Sequence, residues 1–249
     1  MAELYVLTAV INPGKSLHAT LSSLYAQSTH RFRHFILDGG STDDWEHEHD
    51  FSKYRNTVLV KKEDGGLYEG LNNAVACVPD GHAFMYLHAG DILVDSAYIE
   101  KTLACLRLPD PPNLIYSDIT FHDESGTIVR NFQAGSFNQK SLRRGWCPPH
   151  TSVVVLKAYY SAVGPHDTSY RISGDYEWLL RALMRDPKIH YLRTTSVSML
   201  TGGLSSSRSL LSALTKLKED YRAAKLHFNW PVKVVVLKRL RKLNQWRIF

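Results

Sequence analysis

The sequence predicts an α/β fold in which helices flank a mostly parallel central sheet. Three observations carry this prediction. Apolar, β-branched runs alternate with segments of helical spacing over the first hundred residues, and most of these runs end in polar or glycine residues. The composition, 44% hydrophobic and 22% charged, is ordinary for a globular protein. A chain of 249 residues is long enough to bury one sizeable core.

The first half of the chain supplies alternating strands and helices. Strands are predicted at Leu4–Val10, Phe35–Leu37, Thr57–Val60 and Ala83–Leu87. Helices are predicted after an N-cap at Ser16, from Asp43, over Leu67–Val78, and from an N-cap at Ser96 through Leu106. This order favours parallel strands joined by crossover helices.

The second half is predicted to add shorter, mixed elements to the same domain. A hairpin joins Leu114–Phe121 to Thr127–Phe132, and the strand Thr151–Leu156 precedes a short helix that ends near Gly164. A helix then starts at Ser173 or Gly174 and runs through Arg185, before a last strand over Ile189–Ser196. We expect one domain over residues 1–208, with halves at 1–107 and 108–208, and a separate tail over 209–249.

The positive charge of the protein is concentrated in this tail. The net charge is +6, while residues 216–249 contain ten Lys or Arg and two acidic residues, a balance of +8 that leaves −2 for the rest. A body that is not basic argues against nucleic acid as a partner.

Two helices are predicted in the tail. Apolar residues at helical spacing within residues 209–228 predict a helix that packs on the domain; they are Leu210, Leu211, Leu214, Leu217 and Tyr221. A second helix after Pro231 would gather Val232, Val235, Val236, Leu240, Leu243 and Trp246 on one face, among Lys and Arg side chains. This pattern predicts an interfacial helix on an anionic membrane, with a solvated terminal helix or a dimer contact as alternatives.

Several other functions and locations are disfavoured. The sequence has no run of 18 apolar residues and no signal-peptide pattern at its start, and its three cysteines are scattered, as in reduced proteins of the cytoplasm. The segment His47–Asp50 lacks the H-E-x-x-H spacing of zinc proteases, and no P-loop motif is present.

Polar residues follow three of the predicted strands. They fall in Thr8–Asn12, Asp38–Asp44 and His88–Asp91. Ligands of open α/β sheets bind beyond the carboxyl ends of the strands. We therefore expect these three segments to line one crevice.

Four parts of the chain resemble glycosyltransferase family 2. They are Ile36–Asp43, Asp64–Asn72, Phe84–Asp91, and the pair Pro149–Val153 and Tyr170–Tyr176. The branch with the greatest resemblance contains bacterial enzymes that assemble surface polysaccharides such as colanic acid and O-antigen. The resemblance implies a GT-A fold, related to the Rossmann fold, with a nucleotide-sugar-binding half (1–107) and an acceptor-binding half (108–208).

The resemblance implies a divalent metal, Mg²⁺ or Mn²⁺, at Asp91. Such a metal prefers oxygen ligands and stabilises a diphosphate leaving group as a Lewis acid. His88 and Gly90 stand where the family often has further aspartates, so Asp91 would be left as the metal-binding carboxylate. The alternative is that Asp91 only ends the turn.

The resemblance also implies the residues that border the donor. They are Thr8, Asn12, Asp38, Asp64, Tyr68, Asn72 and Gly90. Asp38 would read the nucleobase or ribose, although it also fits a simple Asp-Gly turn. Asp64 fits equally well as a carboxylate that favours a helix start. Ile11 replaces the aromatic residue that the family often has before Asn12.

Asp175 matches the catalytic aspartate of the family and is expected to deprotonate the acceptor hydroxyl. The alternative is a plain helix N-cap. Trp146 and His150 are expected to flank the acceptor, although such residues are also common in cores. The segment Gly202–Ser205 resembles a loop that closes over the donor.

The sequence thus predicts an inverting, metal-dependent transferase that uses a nucleotide-sugar, with UDP favoured. The acceptor would be a saccharide, which a polyprenyl diphosphate could carry at the inner face of the membrane. Two rivals remain: a sugar nucleotidyltransferase, and a non-catalytic sugar- or lipid-binding partner. The donor sugar, the acceptor, the linkage and the oligomeric state stay open.

Overall fold

The computed structural model describes residues 3–201, 210–243 and 245. Its nine strands are β1 (Leu4–Val10), β2 (Phe32–Asp38), β3 (Thr57–Lys61), β4 (Ala83–Tyr86), β5 (Ile92–Leu93), β6 (Leu114–His122), β7 (Ile128–Phe132), β8 (Val154–Leu156) and β9 (Ile189–Leu200). Its eight helices are α1 (Ser16–Tyr25), α2 (Leu67–Ala76), α3 (Tyr98–Leu106), α4 (Gln139–Leu142), α5 (Lys157–Val163), α6 (Gly174–Leu183), α7 (Leu210–Lys225) and α8 (Pro231–Leu243).

All nine described strands form one sheet in the order β3-β2-β1-β4-β8-β6-β9-β5, with β7 paired to β6. The first four strands are parallel, as the alternation of strands and helices predicts. Beyond them β8 runs antiparallel to both β4 and β6, while β6 and β9 are parallel. The α/β fold is confirmed, and each antiparallel pair among the described strands includes a strand from the second half of the chain.

Helices cover both faces of the sheet. Alternate residues of β1 point to opposite faces, so Leu4 and Val6 pack with the α3 side and Tyr5 and Leu7 with the α2 and α6 side. The sheet runs without interruption through both predicted halves, so residues 1–107 and 108–201 share one core.

The helix predicted from Asp43 is wrong, because two short 3₁₀ helices occupy residues 45–48 and 51–53. The Asn12 side chain accepts hydrogen bonds from the N–H groups of Thr42 and Asp43, and this holds the segment against the β1 loop. The predicted serine caps are wrong as well. The Ser16 hydroxyl donates to the Pro13 carbonyl, and Asp95, in place of Ser96, accepts the N–H of Ala97 before α3.

The tail packs against the domain. On α7, Glu219 accepts the N–H groups of residues 171–173, each at 2.8 Å, at the start of α6. On α8, Lys238 donates to the buried Asp220 of α7 at 2.8 Å. The two helices pack through Ala224, Val234 and Val235.

The face by which the tail packs differs from the prediction. Leu210, Leu211 and Leu214 of α7 are 84%, 74% and 54% exposed. The side of the helix that faces the protein instead carries the buried residues Asp220, Ala223 and Ala224. On α8 the predicted apolar face is split: Val235 is buried, whereas Val232, Val236 and Leu240 are exposed. The Leu243 side chain and Trp246 lie outside the described residues. In the part of the chain that the structure describes, no helix is long and apolar enough to span a membrane.

Candidate active site

The candidate active site is a cavity of about 410 Å³ at the carboxyl ends of β1 and β4. Asp91 enters it from the loop after β4, and Asp175 from the first turn of α6. Its walls come from the β1 loop, α2, the 150 region and the end of β9; they include Ile11, Asn12, Leu67, Tyr68, His88, Phe121, His150, Arg171 and Leu200. The topology thus brings together two acidic residues that are remote in sequence.

Asp91 is a buried carboxyl group. Its Oδ2 atom has no hydrogen-bond partner among the described residues, and burial raises its pKa to about 7. The preceding Gly90 has φ +93°, and a Cβ there would lie 3.0 Å from a Leu200 methyl group. A side chain at position 90 is therefore disfavoured both by backbone strain and by contact.

Asp175 forms an ion pair with His150. His150 Nδ1 lies 3.1 Å from Asp175 Oδ2, and the Tyr68 hydroxyl donates to Asp175 Oδ1 at 3.5 Å. Burial favours the neutral forms of both groups, but their mutual attraction outweighs it. It lowers the pKa of Asp175, with help from Lys216, and raises the pKa of His150.

The ring of Tyr68 fixes the approach of α2 to α6. It is stacked on His166 with centroids 5.7 Å apart, and a Cβ on Gly174 would lie 2.8 Å from its ring atoms. Glycine at 174 is thus required by close packing beside Asp175. Tyr68 therefore contacts Asp175 through its hydroxyl group and also lines the cavity.

His88 faces His150 across the cavity wall. The ring centroids are 5.5 Å apart, and burial, followed by the charge of His150, lowers the pKa of His88 to about 3. His88 is therefore neutral at physiological pH. A cluster of three or more side chains able to ligate a metal is absent from the described residues, so a metal here would use Asp91 with oxygens from a bound substrate.

Asp38 lines a second cavity of about 460 Å³, and its predicted contact with the donor stays a prediction. Its carboxylate accepts hydrogen bonds from the N–H groups of Gly40 and Ser41 and from Trp45 Nε1. Burial opposes ionisation, but these donors together lower its pKa. Hydrogen bonds from its own loop therefore occupy most of the acceptor positions of the Asp38 carboxylate.

Two further residues that are predicted to border the donor shape the loops around this edge. Asn12, which lines the main cavity, has φ +49° and orders the loop after β2 through its side-chain oxygen. Asp64 is wedged between two glycines: a Cβ on Gly39 or Gly70 would lie 2.5 or 2.6 Å from its Oδ2. Burial, followed by the nearby acidic residues, raises the pKa of Asp64.

Three predicted site residues belong to the interior. The Thr8 hydroxyl is buried and donates to the Leu87 carbonyl. Asn72 binds the backbone of His166 with both ends of its amide. Trp146 is 3% exposed, and its Nε1 donates to the Ala134 carbonyl at 2.6 Å. Each of these side chains is used within the fold, and their predicted contacts with donor or acceptor stay predictions.

Sequence reasoning missed the residues that the tail brings to the site. Lys216 of α7 lies close enough to Asp175 to lower its pKa, and Glu219 anchors the chain just before α6. Neither lies in a family-like motif, and the basic composition of the tail was the one available signal. The predicted closing loop Gly202–Ser205 lies outside the described residues.

Proteins of similar sequence are glycosyltransferases. A PGL/p-HBAD biosynthesis glycosyltransferase of Mycobacterium tuberculosis is 23% identical over 255 residues, which cover 97% of this chain and 96% of the relative. An uncharacterised glycosyltransferase of the same species is 24% identical over 236 residues, with 91% and 84% covered. No family model matches the chain.

Solved structures of similar fold include S. aureus TarS and a mannosyltransferase. Residues 1–349 of S. aureus TarS, solved with UDP, align with a TM-score of 0.63 and 15% identity over 92% of this chain and 73% of that one. This chain spans about half, 53%, of a longer TarS structure (TM-score 0.64, 11% identity, 97% of this chain). The mannosyltransferase PcManGT of Pyrobaculum calidifontis, solved with GDP-Man and Mn²⁺, aligns with a TM-score of 0.63 at 12% identity over 95% and 68% of the two chains.

Proposed function

We propose that this chain, a glycosyltransferase with a GT-A-like fold, transfers a sugar from a nucleotide-sugar to a hydroxyl group of a saccharide with inversion at the anomeric carbon. One observation carries the proposal: Asp91 and Asp175 line the same cavity, and their surroundings raise the pKa of Asp91 but lower the pKa of Asp175. The Oδ2 atom of Asp91 is buried with no hydrogen-bond partner among the described residues, and Asp175 is held ionised by His150.

Asp91 fits a divalent metal that arrives with the donor. Its Oδ2 is an unsatisfied buried acceptor, and Mg²⁺ or Mn²⁺ often takes one or two carboxylates and completes its shell with phosphate oxygens. A metal bound there would supply Lewis-acid stabilisation of the leaving diphosphate. The neutral His88 beside it adds no positive charge to the pocket at physiological pH.

Asp175 is the proposed general base. Its carboxylate takes the proton of the acceptor hydroxyl while the acceptor oxygen bonds to the anomeric carbon and the bond from that carbon to the diphosphate oxygen breaks. A single displacement of this kind inverts the configuration. His150 keeps the carboxylate ionised and oriented, and the negative diphosphate would raise its low pKa towards that of a better base.

UDP is the proposed nucleotide, supported by the motif resemblance and by the TarS structure solved with UDP. In the donor half, Asn12 borders the cavity and accepts a hydrogen bond from the loop after β2. Asp38 begins that loop, and Asp64 lies against its Gly39. We assign the acceptor to the side of His150, Phe121 and Arg171, where the cavity meets the tail.

Donor hydrolysis tests the proposal. The protein is incubated with Mn²⁺ and UDP-, GDP- or dTDP-sugars, and the products are separated. Slow release of nucleoside diphosphate and free sugar from one nucleotide class is expected. Release of pyrophosphate would identify a nucleotidyltransferase, and the absence of any product across the panel would contradict catalysis.

We further propose that the tail binds the cytoplasmic face of an anionic membrane. Its exposed apolar side chains, including Leu211, Leu214 and the 77% exposed Trp230, accompany a strongly basic segment. Flotation with liposomes that contain anionic lipid should carry the full chain but not a Leu211→Ser, Leu214→Ser, Trp230→Ser variant. Equal flotation of the two proteins would contradict membrane binding through these side chains.

A further inference from the structure

A larger cavity, of about 700 Å³, adjoins the active site, and we call it the α7 cavity. Three elements form it: the start of α2, the loop before α6, and the first turns of α7. Four residues line both this cavity and the active-site cavity; they are Leu67, Tyr68, Arg171 and Ile172. The two cavities therefore lie side by side along these residues.

The α7 cavity lies on the side of the active site that holds the proposed base. Tyr68 lines both cavities, and its hydroxyl donates to Asp175 Oδ1 at 3.5 Å. The active-site cavity measures about 410 Å³ and must also hold the sugar and diphosphate of the donor. An acceptor whose hydroxyl lies at Asp175 thus needs room for its remaining part, and the α7 cavity provides that room.

The tail holds the wall of the α7 cavity in place. Glu219 accepts the N–H groups of residues 171–173, each at 2.8 Å. Arg222 donates to the Ser169 hydroxyl at 2.8 Å, and its guanidinium carbon lies 4.3 Å from the ring centroid of Tyr170. Small-molecule sites are usually preformed cavities of about 300–1,000 Å³, and the α7 cavity fits this description.

The lining of the α7 cavity is polar, and its charges balance. Glu69 and Arg171, which have opposite signs, are the charged residues among the described residues that line it. Side-chain hydroxyl groups come from Thr168, Ser169, Ser212 and Thr215. A carboxylate accepts hydrogen bonds, a guanidinium donates them, and hydroxyl groups do both, as sugar hydroxyls require. A diphosphate would instead call for an excess of cations.

We infer that the α7 cavity is a saccharide subsite, which binds the acceptor sugar next to the one that receives the transferred residue. The acceptor is then a chain of at least two sugars that extends from Asp175 along α7. This inference rests on the proposed function. It adds the minimum length of the acceptor and the part of the tail that recognises it.

Binding to a saccharide array tests the inference. The protein, with UDP and Mn²⁺, is applied to immobilised bacterial di- to hexasaccharides and to their terminal monosaccharides, and the Kd of each bound saccharide is then measured in solution. At least one oligosaccharide is expected to bind about ten-fold or more tightly than its terminal monosaccharide, since one or two further hydrogen bonds have about that effect. Equal affinity for both, or binding to no oligosaccharide, would overturn the inference.

Two substitutions locate the binding in the α7 cavity. Ser212→Trp fills the cavity from its α7 wall, and Arg171→Ala removes the guanidinium shared with the active site but keeps the N–H that Glu219 accepts. Each should weaken oligosaccharide binding about ten-fold or more, because hydrogen-bond partners of the sugar are lost or blocked. Ala213→Trp places the same ring at the next position of α7, which is exposed and outside both cavities, and should bind as the parent does. Parental affinity in a folded Ser212→Trp protein would contradict the subsite.

UDP affinity in the same variants separates donor from acceptor. An equal loss of UDP and oligosaccharide affinity in Ser212→Trp would assign the α7 cavity to the donor and overturn the inference. If an oligosaccharide binds as expected but no nucleotide-sugar is hydrolysed, the proposed function fails while the saccharide subsite stands. Donor hydrolysis by a protein that binds no oligosaccharide has the opposite meaning: the inference fails and the proposed function stands.

Discussion

Replacing Asp91 with asparagine is expected to abolish metal-dependent activity and to change how stability depends on pH. The pKa of this buried carboxyl is about 7 in the folded protein against 3.8 in the unfolded chain. Each pKa unit corresponds to 1.36 kcal/mol, so ionising Asp91 in the metal-free protein costs about 4 kcal/mol of stability.

The sign follows from proton binding. Between pH 4 and pH 7 the folded state holds the Asp91 proton more tightly than the unfolded state, so this group makes stability fall as pH rises, and its effect is constant above about pH 7. Asparagine does not titrate. The free energy of unfolding of Asp91→Asn, minus that of the parent, is therefore expected to increase by about 2 kcal/mol from pH 5 to pH 7.

Urea unfolding in a chelator, followed by circular dichroism from pH 5 to pH 8, measures this difference. Asp80→Asn removes an exposed carboxylate and serves as the control, with a pH profile close to that of the parent. Added Mn²⁺ should stabilise the parent, by about 2.7 kcal/mol at one hundred times its dissociation constant, and leave Asp91→Asn unchanged. Parallel pH profiles of Asp91→Asn and the parent would refute the description of Asp91 as an acid whose pKa is raised by burial.

Three further substitutions probe the acceptor side. Asp175→Asn should lower turnover about 10²–10⁴-fold while the Kd for UDP is kept, and near-parental turnover would refute its role as base. Gly174→Ala should destabilise the protein by about 1–3 kcal/mol in urea unfolding, because its Cβ displaces the Tyr68 ring. The control Tyr68→Phe keeps the ring and should retain stability. Equal stability of Gly174→Ala and the parent would contradict this packing. Glu219→Gln turns one carboxylate oxygen into a donor and should cost about 2 kcal/mol and slow turnover without changing the Kd for UDP; a purely local role would leave turnover intact.

Much of the site was accessible from the sequence because its residues follow strands or start helices. Asp91 follows β4 and Asp175 begins α6, as the segment patterns predict, and parallel strands carry their ends to a common edge. The same reasoning did not reveal that Asp38, Asn72 and Trp146 make hydrogen bonds within the fold. A strand-end position does not reveal whether a side chain's hydrogen bonds are already made within its own loop or core.

The tail shows the limit of periodicity most clearly. Both α7 and α8 carry apolar residues on more than one side, and helical spacing alone does not tell which side meets the protein. The structure selects the side with Glu219, Asp220 and Ala223, because small and acidic groups fit against the start of α6 and the cations of α8. The leucine-rich side is left exposed.

The sequence by itself determined the α/β alternation, the strand order along the chain, and the acidic residues at the sheet edge, since these depend on local pattern. Tertiary structure decided the His150–Asp175 pair, the burial of Asp91 with its Oδ2 unpartnered among the described residues, and the approach of Glu219 to the start of α6. Each of these joins side chains from separate elements or depends on the surroundings that the whole fold provides. Such relations are set by how elements pack, and packing is a property of the assembled chain.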